Sequence, residues 1–144
     1  MTKDLEELEK EFIMSEDMEH DEIRELIGLV LGICKIDKKG YVVIRRTGLT
    51  MQQRIMVVLT ARYLANKLQQ ELERESPIDE TCTTMEIANM LKEKDTVVRV
   101  RLKELKDDKK VLSPKRGVFR IAPYEIKEFL KELIGQENSK KGGN

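Results

Sequence analysis

Apolar positions along this chain change period several times, and each change marks an element. Leu5, Leu8 and Phe12 form a thin helical stripe within the acidic run from Asp4 to Met14. A Ser15-Glu16-Asp17 break follows. Ile23, Leu26, Ile27, Val30 and Leu31 then give a wider stripe that carries Gly28 and Gly32. Glycine lowers helix propensity by about 1 kcal/mol, so close packing against a neighbouring helix is expected there, either within the chain or across a dimer. From Ile33 to Arg46 the pattern turns β-like, with a turn at Asp37-Lys38-Lys39-Gly40 and a β-branched run at Tyr41-Val42-Val43-Ile44. The Arg45-Arg46 pair is read as a solvated strand end, with a phosphate contact as the alternative. Thr50-x-x-Gln53 is a capping box opening a helix to about Glu73. Ile55, Met56, Leu59, Tyr63 and Leu68, widened by Val57, Val58 and Leu64, make that helix apolar around much of its circumference, so it should lie at the centre of its domain.

The segment 83–121 is the most informative. Thr83-Thr84-Met85-Glu86 is a second capping box, and Ile87, Ala88, Met90 and Leu91 supply one buried face for a short helix. Lys92 to Thr96 breaks the pattern, and Asp95 or Thr96 is the expected N-cap of the next helix. Val98, Leu102 and Leu105 then recur at i, i+4 and i+7, while Arg99, Arg101, Lys103 and Lys106 fall on the other faces. Two short β-like runs, Val111-Leu112-Ser113 and Val118-Phe119-Arg120-Ile121, flank a turn at Pro114-Lys115-Arg116-Gly117 with basic residues at its tip. Ala122-Pro123 opens a last helix with Ile126, Phe129, Leu130, Leu133 and Ile134 along one side, expected to stop at Gly135 before a disordered tail.

Thr83-Thr84-Met85-Glu86-Ile87-Ala88 and Val98-Arg99-Val100-Arg101-Leu102-Lys103-Glu104-Leu105 resemble the core of the winged helix-turn-helix superfamily of DNA-binding proteins. The likeness is to small archaeal winged-helix transcriptional regulators. It extends over Thr83 to Ile121 and, more thinly, Leu49 to Leu72; it does not reach residues before Lys35. Many such proteins end the reading helix with glycine, where this chain has Lys109-Lys110, so the turn into the wing must form without the residue best suited to positive φ.

Charge sharpens this picture. The chain of 144 residues has no net charge, but the average hides an asymmetry. Residues 1–25 hold eleven acids against three bases, and residues 92–120 hold eleven bases against five acids. Screening confines electrostatic effects to roughly 8 Å at physiological salt, so the basic patch acts locally despite the neutral total. No apolar run approaches the ~20 residues needed to span a bilayer. Cys34 and Cys82 lie far apart with no other ligand at metal spacing, and they read as reduced residues of a cytoplasmic protein, with a disulfide as the minor alternative. There is no Gly-rich phosphate loop, no Cys-x-x-Cys and a single histidine, His20, so neither an enzyme nor a cofactor is expected.

The expected fold is α+β and mostly helical: an acidic helical arm over 1–34, a winged-helix domain over 35–134 with its reading unit at 83–121, and a tail over 135–144. The resemblance implies sequence-specific binding of double-stranded DNA. The helix 96–109 would lie in the major groove with Thr96, Val97, Arg99, Val100, Lys103 and Lys106 outward, and Lys115 and Arg116 would reach the backbone or the minor groove from the wing. Arg99 is the expected guanine reader. A protein-interaction scaffold without DNA binding is the alternative. Because one such unit covers few base pairs, a homodimer through the N-terminal helices is expected, with Leu5, Leu8, Phe12, Ile23, Ile27, Leu31 and the Phe129 face as the available apolar surface.

Overall fold

The computed structural model describes residues 4–13 and 18–142, with side chains through Gln136; the Ser15–Asp17 break lies outside the described residues. The architecture is α+β. In chain order it runs α1 (Leu5–Phe12), α2 (His20–Val30), β1 (Cys34–Ile36), β2 (Val42–Ile44), α3 (Met51–Glu71), β3 (Cys82–Thr83), α4 (Thr84–Leu91), α5 (Asp95–Asp107), β4 (Val111–Lys115), β5 (Val118–Ile121), a 3-10 turn at Pro123–Glu125, and α6 (Ile126–Gly142). Strands β1 and β2 form an antiparallel hairpin, and β3-β5-β4 form a second antiparallel sheet. Among the described residues no helix is long and apolar enough to cross a membrane.

The α3 helix is the axis of the molecule. Thr50 and Gln53 close the expected capping box, and every residue from Ile55 to Leu64 is buried. Thr60 and Arg62 are therefore carried inside along with the apolar side chains, and Arg62 organises its surroundings. Its guanidinium donates to the Gly40 carbonyl at 3.1 Å, the Thr81 carbonyl at 3.0 Å, Cys82 Sγ at 3.2 Å and Glu86 Oε2 at 3.0 Å. One buried side chain thus ties the β1–β2 turn, the lead-in to β3 and the start of α4 to the central helix. Gly40 sits at φ 92°, and a Cβ there would fall 1.9 Å from Arg62 Nη1, so both backbone and space demand glycine.

Several boundaries differ from the sequence reading. The α5 helix starts at Asp95, with Lys94 as an N-cap that makes no side-chain bond. Asp95 is instead in the first turn, where its charge favours the helix N-terminus and its carboxylate meets Arg99. Strand β4 runs through Pro114 to Lys115, leaving only Arg116-Gly117 as the turn. A register irregularity between Leu112 and Lys115 removes the need for an N–H at Pro114, and Ser113 Oγ bonds the carbonyls of Lys115 and Val118 across it. Helix α6 continues through Gly135, whose open surroundings and single propensity cost do not end it, and the expected tail has helical backbone to Gly142.

The N-terminal residues divide. Helix α2 belongs to the body: Leu26 and Val30, followed by Ile33 and Cys34, join the main core. Packing is therefore continuous across position 34, and the arm that stands apart is α1, capped by Asp4 and without a buried residue. Among the described residues, the expected tight packing at the two glycines is absent. Gly32 lies beyond the end of α2, and a Cβ at either position would meet nothing within 4 Å.

Candidate nucleic-acid interface

The surface begins with how α4 and α5 are held. Thr83 Oγ1 accepts from the Glu86 N–H, and Glu86 Oε1 accepts from the Thr83 N–H, completing the second capping box. The other oxygen of Glu86 accepts from Arg62, so the cap also orients α4 against the core. At the far end of α4, Arg54 donates to the Leu91 carbonyl at 2.7 Å and pairs with Glu93 at 3.2 Å, fixing the turn between the two helices. Lys92 makes that turn at φ 57°, a left-handed helix end taken without glycine. Tyr41 Oη donates to the Asn89 carbonyl, so the β1–β2 hairpin braces the same helix.

Helix α5 buries Val98, Leu102 and Leu105 completely or nearly so. At ~1.5–3 kcal/mol per buried side chain these three residues fix which face remains outside. Gln52 on α3 donates to Glu104 Oε2 at 3.0 Å, and Arg101 donates to Glu104 Oε1 at 2.7 Å. Arg101 is therefore tied back toward the body. Arg99 has only an exposed i,i+4 pair with Asp95 at 3.4 Å, a contact of the kind that contributes little and is easily exchanged.

After α5, Lys109 adopts φ 62° at the turn where a glycine was missed in the sequence, and its N–H bonds the Lys106 carbonyl. The chain then enters β4 with Val111 buried, and Val111 pairs with Ile121 at the base of the hairpin. The tip carries Lys115, Arg116 and Gly117, the last at φ 77°. Near it, the Asp79 carboxyl is held below its usual range, first by the Thr81 N–H and then, against the opposing effect of burial, by the Thr81 hydroxyl and the charges of Arg62 and Lys115.

All eight residues singled out from sequence, Thr96, Val97, Arg99, Val100, Lys103, Lys106, Lys115 and Arg116, are exposed. The structure brings Arg99 and Arg116 into one concavity of about 730 Å³, formed by the start of α4, the outer face of α5 and the hairpin tip. Thr96, Val97 and Val100 border a separate shallow hollow on α5. Lys103, Lys106 and Lys115 line neither hollow, and their side chains make no ion pair or hydrogen bond among the described residues. Sequence reasoning passed over Thr84, Met85 and Phe119, which share the concavity with the two arginines. Met85 is 66% exposed; lying off the Ile87-Ala88-Leu91 stripe of a capped helix, it carried a signal that could have marked it. The Arg45-Arg46 pair divides: Arg46 donates to the Leu133 carbonyl at 2.6 Å and serves the packing of α6.

No family model, no curated protein and no solved structure matches this chain.

Proposed function

We propose that this chain is a winged helix-turn-helix protein that binds double-stranded DNA in a sequence-specific manner and acts as a transcriptional regulator. The observation that carries the proposal is the concavity in which Arg99 from α5 and Arg116 from the β4–β5 hairpin converge beside the capped start of α4. In this reading α4 and α5 are the helix-turn-helix and β4–β5 is the wing. Helix α5 enters the major groove, Arg99 pairs with a guanine edge, and Val97 and Val100 offer apolar contact to thymine methyl groups. Lys103, Lys106, Lys115 and Arg116 neutralise phosphates on either side. The buried Arg62 and the half-buried Arg54 and Gln52 hold this surface in place before DNA arrives.

Fluorescence anisotropy on random duplex DNA over a salt series tests the proposal. The expected result is a log–log slope of roughly −3 to −6, from four to six phosphates neutralised. Binding that is absent at low salt, or indifferent to salt, removes it. A second reading, a protein-interaction module, is favoured by one observation: Met85, Val97 and Val100 are 66%, 39% and 56% exposed among the cations. Salt-indifferent capture of a folded partner through these three residues is the result that would put it first.

A further inference from the structure

Two apolar surfaces of this chain are left uncovered, one a ridge and the other a groove. The ridge is α1, where Leu5, Leu8 and Phe12 fall on one face and are 84%, 45% and 87% exposed. The groove runs between α2 and the C-terminal half of α3. It consists of two adjoining hollows of about 280 and 560 Å³ that share Ile27, Leu31 and Leu68. Leu31, Leu68 and Leu72 along it are 58%, 39% and 50% exposed. Gly28 lies within the groove, and a Cβ there would meet nothing within 4 Å. Glycine inside a helix is unfavourable and no described residue uses the space it leaves, so the position suits a backbone arriving from outside. No described α1 residue lines either hollow.

We propose that a second copy of this chain covers the groove with its own α1, reciprocally, giving a two-fold dimer with exchanged N-terminal helices. Charge complementarity selects this occupant. The α1 stripe is flanked by Glu9 and Glu11 in a helix that also carries Glu6 and Glu7. Arg24 lines one hollow and Lys35 the other, with Glu71 the lone acid among the groove's lining residues. The tether agrees: His20, the first residue of α2, lines the groove, and the residues from 13 to 19 reach up to about 24 Å, enough to cross a seam between facing copies. An exchange of identical arms satisfies both surfaces in both copies at once, as a closed two-fold contact requires. The buried Phe129 lines neither hollow and serves the core of a single chain, while Ile23, also buried, forms part of the groove's floor. The inference goes beyond DNA binding and does not depend on it.

Light scattering on the full chain, without DNA, tests it. The expected mass is twice the 16.8 kDa of one chain. Leu8→Ser with Phe12→Ser should halve the measured mass while leaving the cooperative melt in place, because α1 contributes no buried residue. Leu31→Glu on the groove side should halve it as well, and Leu68→Glu is a second groove variant with the same expected result. Mixing the ridge variant with a groove variant restores one intact contact, so a dimer should return with at least tenfold weaker association than the parent. A monomeric parent chain, a dimer that survives either the ridge or both groove variants, or a mixture that stays monomeric overturns the proposal.

Discussion

Arg99 and Arg101 lie two residues apart on one helix, yet their surroundings assign them different work. Arg101 is held by Glu104, which Gln52 in turn holds to α3. Among the described residues Arg99 has only the exposed Asp95 contact, and it faces the hairpin tip. Exchanging that weak contact for a guanine edge costs little, whereas Arg101 would have to leave a shorter pair with a carboxylate that Gln52 also holds. Arg99→Ala is therefore expected to lose about 1–3 kcal/mol on a duplex selected from a random pool and much less on random DNA. Lys115→Ala, at a proposed phosphate contact, should weaken both alike. Anisotropy titrations on the two DNAs check this, and equal losses for Arg99→Ala would make it a phosphate contact.

At the scale of elements, the α4–α5 pair owes its setting to the central helix more than to its own contacts. Three side chains of α3, Gln52, Arg54 and Arg62, reach across to Glu104, to Leu91 with Glu93, and to Glu86. Gly40 is the tightest point of this bracing. Gly40→Ala forces a side chain into a left-handed backbone and displaces the buried guanidinium from the Gly40 carbonyl. The expected loss is about 2–4 kcal/mol, combining backbone strain with a disturbed buried hydrogen bond. Urea denaturation measures it; a loss under about 0.5 kcal/mol would mean that Arg62 has another place to go. Gly117, also at positive φ but with open space around it, should tolerate Asn far better.

For the molecule as a whole, one core takes in α2, α3, α4, α5, α6 and the bases of both sheets, and it encloses both cysteines. Burial raises the Cys34 and Cys82 thiols from 9.0 to about 11. A raised thiol pKa means that the folded state favours the neutral form. This contribution to stability is complete below the unfolded value of 9.0 and is lost as pH rises through about 11. At pH 8, iodoacetamide is expected to label neither cysteine in the native chain and both once urea unfolds it. Mass spectrometry of the labelled protein reads the result, and rapid native labelling at Cys82 would show that the Arg62 cluster opens.

Most elements of this protein were determined locally and could be found from the sequence, whereas β3 and the continuation of α6 past Gly135 were not. Two capping boxes, the i, i+4, i+7 run of Val98, Leu102 and Leu105, and the β-branched strand after Gly40 encode their structures through nearest neighbours on one helix or strand. The exposure of the six candidates on α5 followed from the same periodicity, because burying one face of that helix leaves the other outside, and Lys115 and Arg116 are exposed by their place at the hairpin tip. What only the tertiary structure decided are the contacts between residues distant in sequence. Periodicity could not show that Arg62, lying among buried apolar neighbours, caps three other segments, since its partners lie around 20 residues away along the chain. Nor could it show that Arg99 and Arg116 share one concavity, that Pro114 is absorbed by a bulge, or that α2 packs into the core while α1 does not. Each of these depends on which surfaces meet, a competition for buried area and hydrogen-bond partners that is settled only when the whole chain is packed.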